Sequence, residues 1–264
     1  MCIRDRYVCG VTVYDRPHLG HALSTVTFDV LHRYLEYKGY TVTRVQNFTD
    51  VDDKIINKSK ELSITAQEVA DRYIESFFQD MDALGVRRAD VHPRATEDMN
   101  EIIELISSLI DNKAAYSSNG SVYFDVSFAS DYGKLSGRNI EEEIDGIRIE
   151  NDPDKKNVED FALWKKAPAS EPHWKSPWGI GRPGWHIECS AMAKKHLGDT
   201  IDIHGGGLDL VFPHHENEIV QSESASGLKP FSKIWVHNGL LKRSGDEKMS
   251  KSLGNSFDVR DALG

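Results

Sequence analysis

The first fifty residues constrain the fold most, because they alternate between two periodicities. Tyr7-Val8-Cys9-Gly10-Val11-Thr12-Val13 is β-branched and aromatic, the composition of a buried strand over 7–14. Residues 22–37 then place Val26, Val30, Tyr34 and Tyr37 at helical spacing, and Gly39 closes the run. Thr41 to Phe48 reads as a second strand. Strand–helix–strand is the unit of a parallel sheet, so an α/β fold is expected. In such sheets ligands sit beyond the carboxyl ends of the strands.

Two further helices follow. Thr65-Ala66-Gln67-Glu68 fits a capping box, and Val69, Tyr73, Phe77, Met81 and Leu84 line one face behind it. Met99, Ile102, Ile103, Ile106, Leu109 and Ile110 form the next stripe. Both stripes read as core packing. The texture changes over 116–178. Ser118-Asn119-Gly120 precedes an alternating strand, Ser121 to Val126, and then come Gly133, Gly137, Glu141-Glu142-Glu143 and a loop rich in Asp, Pro, Lys and Trp. This reads as an α+β insertion between 7–115 and 179–240, the two halves of the sheet domain. The segment 241–264 is a polar loop leading into a short helical start. Met1–Arg6 carries no evident element and reads as a cloning or sequencing scar. Residues 257–264 begin a helix and stop, so the chain reads as a fragment.

Composition removes other classes. No apolar run nears the roughly 18 residues that a membrane-spanning helix needs. The three cysteines, Cys2, Cys9 and Cys189, are too few and too uneven for a secreted disulfide framework. No signal peptide is evident, so a cytoplasmic setting is expected. There are 42 acidic and 32 basic side chains, a formal charge of −10. That argues against indiscriminate nucleic-acid binding but leaves room for a local basic patch on one folded RNA.

Several residues carry chemistry. His18-Leu19-Gly20-His21 lies between the first strand and the first helix. Two imidazoles three positions apart can face one ligand, and Gly20 lets it approach the backbone. The helix N-terminus adds donors suited to phosphate. Lys248-Met249-Ser250-Lys251-Ser252 can grip a triphosphate with two ammonium groups. Cys9, Cys189, His214 and Glu218 offer two thiolates, an imidazole and a carboxylate, a donor set suited to zinc. His214 and Glu218 stand at i and i+4, on one helix face. The bland alternative makes both cysteines small core residues. His204-Gly205-Gly206-Gly207 follows a strand over Thr200–Ile203 and suits either a tight turn or close approach of a ligand, with Asp209 nearby. Asp50, Asp52 and Asp53 fit a loop and helix-cap role better than a Mg²⁺ site.

The histidine and lysine motifs, in this order, resemble the two ATP-binding motifs of class I aminoacyl-tRNA synthetases. Leu19 stands where that class most often has isoleucine, an exchange of equal volume. The matches Tyr7–Asp15, Asn47–Lys54, Gly181–Met192, Asp202–Glu223 and His237–Asn255 are similar to the cysteinyl-tRNA synthetase family and span nearly the whole chain. The resemblance implies a Rossmann-like parallel sheet with helices on both faces, interrupted by a connective-peptide insertion. It implies one zinc at Cys9, Cys189, His214 and Glu218, and Mg²⁺ with ATP. It implies that His18, His21, Lys248 and Lys251 are catalytic. ATP would contact His18, Gly20, His21, Gly205, Gly206, Gly207, Asp209, Lys248 and Lys251. Gly10, Thr12, Trp185 and His204 would line the cysteine pocket.

The implied substrates are ATP, L-cysteine and cysteine tRNA, with no membrane partner and a single chain acting alone. The chain ends before the family's tRNA-binding helical region, so weak tRNA charging is expected. Zinc favours thiolate over hydroxyl. Rejecting serine by about 10⁴–10⁵ requires on the order of 5.5–7 kcal/mol, which a metal–sulfur bond supplies without an editing site. Three alternatives stay open: a ligase joining cysteine to an amino sugar, a zinc hydrolase using His214 and His215, and a non-catalytic module that binds zinc or nucleotide.

Overall fold

A computed structural model describes residues 3–138, 152–241 and 257–264. Two compact units emerge. Unit 1 comprises Met1–Arg94, Ile201–Asp209 and Lys233–Gly264; unit 2 comprises Ala95–Thr200 and Leu210–Ser232.

Unit 1 is built on β1 (Ile3–Thr12), β2 (Thr41–Thr49), β8 (Ile201–Gly207) and β9 (Ser232–Asn238), in the order β2-β1-β8-β9. β1 runs parallel to both β2 and β8. The expected α/β class with a parallel sheet is what forms. Helices α1 (Leu19–Tyr37), α2 (Asp53–Leu62), α3 (Ala66–Ala83) and α7 (Val259–Leu263) complete the unit. The capping box at α3 forms as read, with Thr65 and Glu68 exchanging bonds. Asp52 caps α2 through Lys54 N at 2.9 Å, as expected.

One expectation is corrected. β1 begins at Ile3, and Arg4 to Arg6 pair with Val42 to Arg44. Arg6 is fully buried, so this stretch belongs to the sheet. The stripe Val26, Val30, Tyr34, Tyr37 is exposed, Tyr37 at 83%. α1 turns Ala22, Thr25, Phe28, Asp29 and His32 inward. The cause is charge. Arg6 and Arg44 are register neighbours on β1 and β2, both buried. Buried cations need partners. Asp29 lies 3.6 Å from Arg44, and the Phe28 carbonyl accepts from Arg6 Nη1 at 2.6 Å. Burial, and then the neighbouring Arg44, still push Arg6 down to about 9.

Unit 2 carries a five-stranded sheet in the order β3-β4-β5-β7-β6: β3 (Ala115–Ser118), β4 (Ser121–Phe124), β5 (Phe161–Lys166), β6 (Trp174–Ser176) and β7 (Gly179–Pro183). Its pairings are antiparallel. Asn119 and Gly120 turn β3 into β4 with φ of 49° and 88°, the left-handed values that a tight hairpin needs. Helices α4 (Met99–Asp111), α5 (Trp185–Leu197) and α6 (Glu216–Ser226) pack together beside it. Met99, Ile102, Leu105, Ile106 and Leu109 form the buried face of α4, close to the stripe read from sequence.

Candidate active site

The histidine turn in unit 1 is a reciprocal cap. His18 is the N-cap of α1, and its Nδ1 accepts from Gly20 N at 3.0 Å and His21 N at 3.4 Å. His21 Nδ1 in turn accepts from His18 N at 3.3 Å. The rings stack with centroids 3.7 Å apart. Each ring that accepts through Nδ1 carries its proton on Nε2. A side chain at Gly20 would sit 2.8 Å from the His18 ring, which explains the glycine between them. The segment after the lysine motif returns here: Leu19 N donates to Phe257 O at 3.0 Å and Val259 N to Pro17 O at 3.1 Å. Lys248 and Lys251, like Glu141–Glu143, lie outside the described residues.

Cys9 and Gly10 sit at a bulge in β1, where the register to β2 shifts between Val8 and Val11. A Cβ at Gly10 would fall 1.6 Å from Asn47 O, so only glycine fits. Gly10 N donates to Asn47 Oδ1 at 2.8 Å. Thr12 ends β1. His204 is fully buried within β8, edge-on to Tyr7 at 5.3 Å and stacked on Trp235 at 4.6 Å. The triple glycine is no turn: β8 continues through Gly207. A Cβ at Gly205 would strike the Phe28 ring at 2.4 Å, so this glycine serves the packing of α1 on the sheet. Asp209 is exposed, in the helical turn after β8.

Unit 2 brings together three of the four proposed ligands. Cys189 lies on α5, and His214 precedes α6, which carries Glu218. One donor atom from each lies within 4.8 Å of the others, and the relative exposures are 1%, 1% and 0%. His214 Nε2 is 3.1 Å from Glu218 Oε1. Burial alone would push His214 down, but Glu218 and Cys189 hold it up at about 10. A soft thiol, an imidazole and a carboxylate this close, with water excluded, fit zinc. Trp185 is 41% exposed and its ring lies 4.3 Å from that of His214.

Sequence reading missed what holds α6 in place. Glu216 accepts from Leu135 N at 3.1 Å and Ser136 N at 2.9 Å. Asn217 accepts from the Tyr132 hydroxyl at 2.6 Å, and Lys134 Nζ reaches Glu223 at 2.6 Å. The signal was the polarity itself: Glu216, Asn217 and Glu218 are consecutive and all buried. His215, also buried, lies within 4.8 Å of Glu218 as well.

Residues 4–264 match the model of the tRNA synthetases class I (C) catalytic domain. The chain belongs to that family. It is 58% identical over 257 residues to the cysteine–tRNA ligase of Carboxydothermus hydrogenoformans, covering 97% of this chain and 55% of that one. It is 58% identical over 255 residues to the cysteine–tRNA ligase of Clostridioides difficile, covering 97% and 54%. The chain thus spans about half the length of these curated relatives. The fold of this class I catalytic domain is similar to Mycobacterium tuberculosis methionyl-tRNA synthetase in complex with methionyl-adenylate. The TM-score is 0.73 at 16% identity, over all of this chain and 62% of that one. No described helix is long and apolar enough to cross a membrane.

Proposed function

We propose that this chain is the catalytic core of a cysteine–tRNA ligase. It would activate cysteine with ATP to cysteinyl-adenylate and pass the cysteine to the 3′ end of cysteine tRNA. The convergence of Cys189, His214 and Glu218 in a buried cluster carries this reading, because a thiol-selective donor set is what cysteine requires. Cys9, at the β1 bulge, would be the fourth ligand. Zinc bound by these residues would take the substrate thiol as thiolate and leave the serine hydroxyl behind.

The chain's own groups do the rest by positioning and charge. His18 and His21 stand at the start of a 19-residue helix, whose N-terminal dipole favours a polyphosphate. Lys248 and Lys251 would neutralise charge as the cysteine carboxylate displaces pyrophosphate from the α-phosphate, with Mg²⁺ accompanying ATP. Leu19 N donates to Phe257 O at 3.0 Å beside the histidines. Gly205, Gly206, Gly207 and Asp209 would meet the nucleoside. Gly10, Thr12, Trp185 and His204 would wall the amino-acid pocket, and the 116–178 segment would be the connective insertion. The same reading sets the protein in the cytoplasm as a single acting chain.

The test is ATP–pyrophosphate exchange on zinc-loaded protein, with serine as control. Exchange with cysteine alone is expected. Exchange that ignores the amino acid, or none from protein holding stoichiometric zinc, overturns the reading. Lys251→Ala should slow adenylate formation far more than it weakens cysteine binding, and equal losses would remove its assigned role.

A further inference from the structure

His186 lies in the first turn of α5, three residues before Cys189. Its Nδ1 stands 2.9 Å from His214 Nδ1. The other nitrogen of His214, Nε2, stands 3.1 Å from Glu218. The two nitrogens of one ring therefore face two different partners. A histidine that binds a metal must offer a lone pair from one nitrogen and keep its proton on the other. That proton needs an acceptor, and here the acceptor in reach is His186.

We propose that His186 is a positioning residue, which accepts the Nδ1 proton of His214 and so holds His214 with its Nε2 lone pair toward the metal. This rests on the zinc reading above and deepens it. His186 Nδ1 is then the unprotonated nitrogen of its own ring, and its proton sits on Nε2. His186 is not among the residues whose donor atoms share the cluster, so it acts through His214.

The surroundings hold His186 still. Gln221, fully buried on α6 and three residues past Glu218, donates Nε2 to the His186 carbonyl at 3.1 Å and to Ser190 Oγ at 2.8 Å. Ser190 Oγ in turn donates to the Glu218 carbonyl at 3.4 Å. The helix that presents the carboxylate and the helix that presents His186 are thereby tied at one point. The Phe161 ring meets the His186 ring edge-on at 5.7 Å.

The test uses the 264-residue chain with zinc or cobalt as the probe. His186→Leu removes the acceptor and should weaken zinc binding about 10- to 100-fold in a chelator competition. It should also change the visible spectrum of the cobalt form. His186→Asn, which keeps an oxygen acceptor near the position of Nδ1, should restore most of the affinity and the spectrum. Nitrogen NMR of the zinc-loaded wild type should show the His214 proton on Nδ1. A His214 proton on Nε2 there overturns the proposal whether or not the variants fold. So does His186→Leu binding zinc as tightly as wild type, or His186→Asn behaving no better than His186→Leu. Wild type that takes up no stoichiometric zinc overturns the zinc reading itself, and the role of His186 with it.

Discussion

The histidine turn of unit 1 and the histidine cluster of unit 2 use the same side chain in opposite ways. At the turn, the reciprocal cap is made by residues at most three apart, and the half-buried rings spend Nδ1 on their own backbone. In the cluster, His214 is fully enclosed, and its partners come from segments about 25 residues apart in sequence. The cap bonds of the turn are local. The cluster depends on Glu216, Asn217 and Glu223 gripping the loop around Tyr132 to Ser136. A site assembled from distant segments loses function when any of them loosens, whereas a cap loses only its own bonds.

The sharpest way to separate the two is Cys189→Ala. It should weaken zinc binding by more than about 100-fold, beyond the usual loss of an outer partner. The change is small in volume, so circular dichroism should show an intact fold. Zinc retained at wild-type affinity would break the proposed ligand set.

A third histidine extends the contrast through pH. His92 in unit 1 is pushed down to about 4 by burial, although its bond to the Gln46 carbonyl at 2.8 Å opposes the shift. Its unfolded value is near 6.5, so the unfolded chain binds the proton first. The stability contribution is therefore full above pH 6.5 and is lost as pH falls toward 4. It amounts to at most about 3 kcal/mol. Urea unfolding of wild type and His92→Gln across that window should diverge by this amount, and parallel profiles would remove His92 from the acid response.

Glu216→Ala tests whether the cluster depends on its distant clasp. It leaves the Leu135 and Ser136 amides without their acceptor, at a cost of about 2 kcal/mol. Zinc affinity should fall with it; stability lost at constant zinc affinity would show that the clasp serves packing alone. His18→Ala should cost only about 1 kcal/mol as a lost cap, measured by the same unfolding experiment. A loss as large as that of Glu216→Ala would break the view that the turn is purely local. Smallest of all, Val30→Ser and Tyr37→Ser should each stay within about 0.5 kcal/mol, because both side chains face solvent.

Those last two residues show where sequence reading stops. Val26, Val30, Tyr34 and Tyr37 share a helical spacing, and the structure puts them on the exposed face. Periodicity reports which residues share a face, not which face the sheet needs. Arg6 and Arg44, neighbours only once β1 and β2 pair, decided that by drawing Asp29 inward. The glycines of β8 mislead similarly. Gly205 is needed because Phe28 lies over it, a contact between residues 177 positions apart that no local pattern encodes.

By itself the sequence determined the opening strand–helix–strand, the caps at Asp52 and Thr65, the buried face of α4, the histidine turn and the family. Each depends on residues within a few positions of one another, where propensity and hydrogen bonding act without help from the rest of the chain. Tertiary structure alone decided the inward face of α1, the reach of β1 back to Ile3, the pairing of His186 with His214 and the clasp on α6. Those rest on burial and charge compensation between distant segments. Such forces have no local signature, because a buried arginine or carboxylate finds its partner only after the chain has folded.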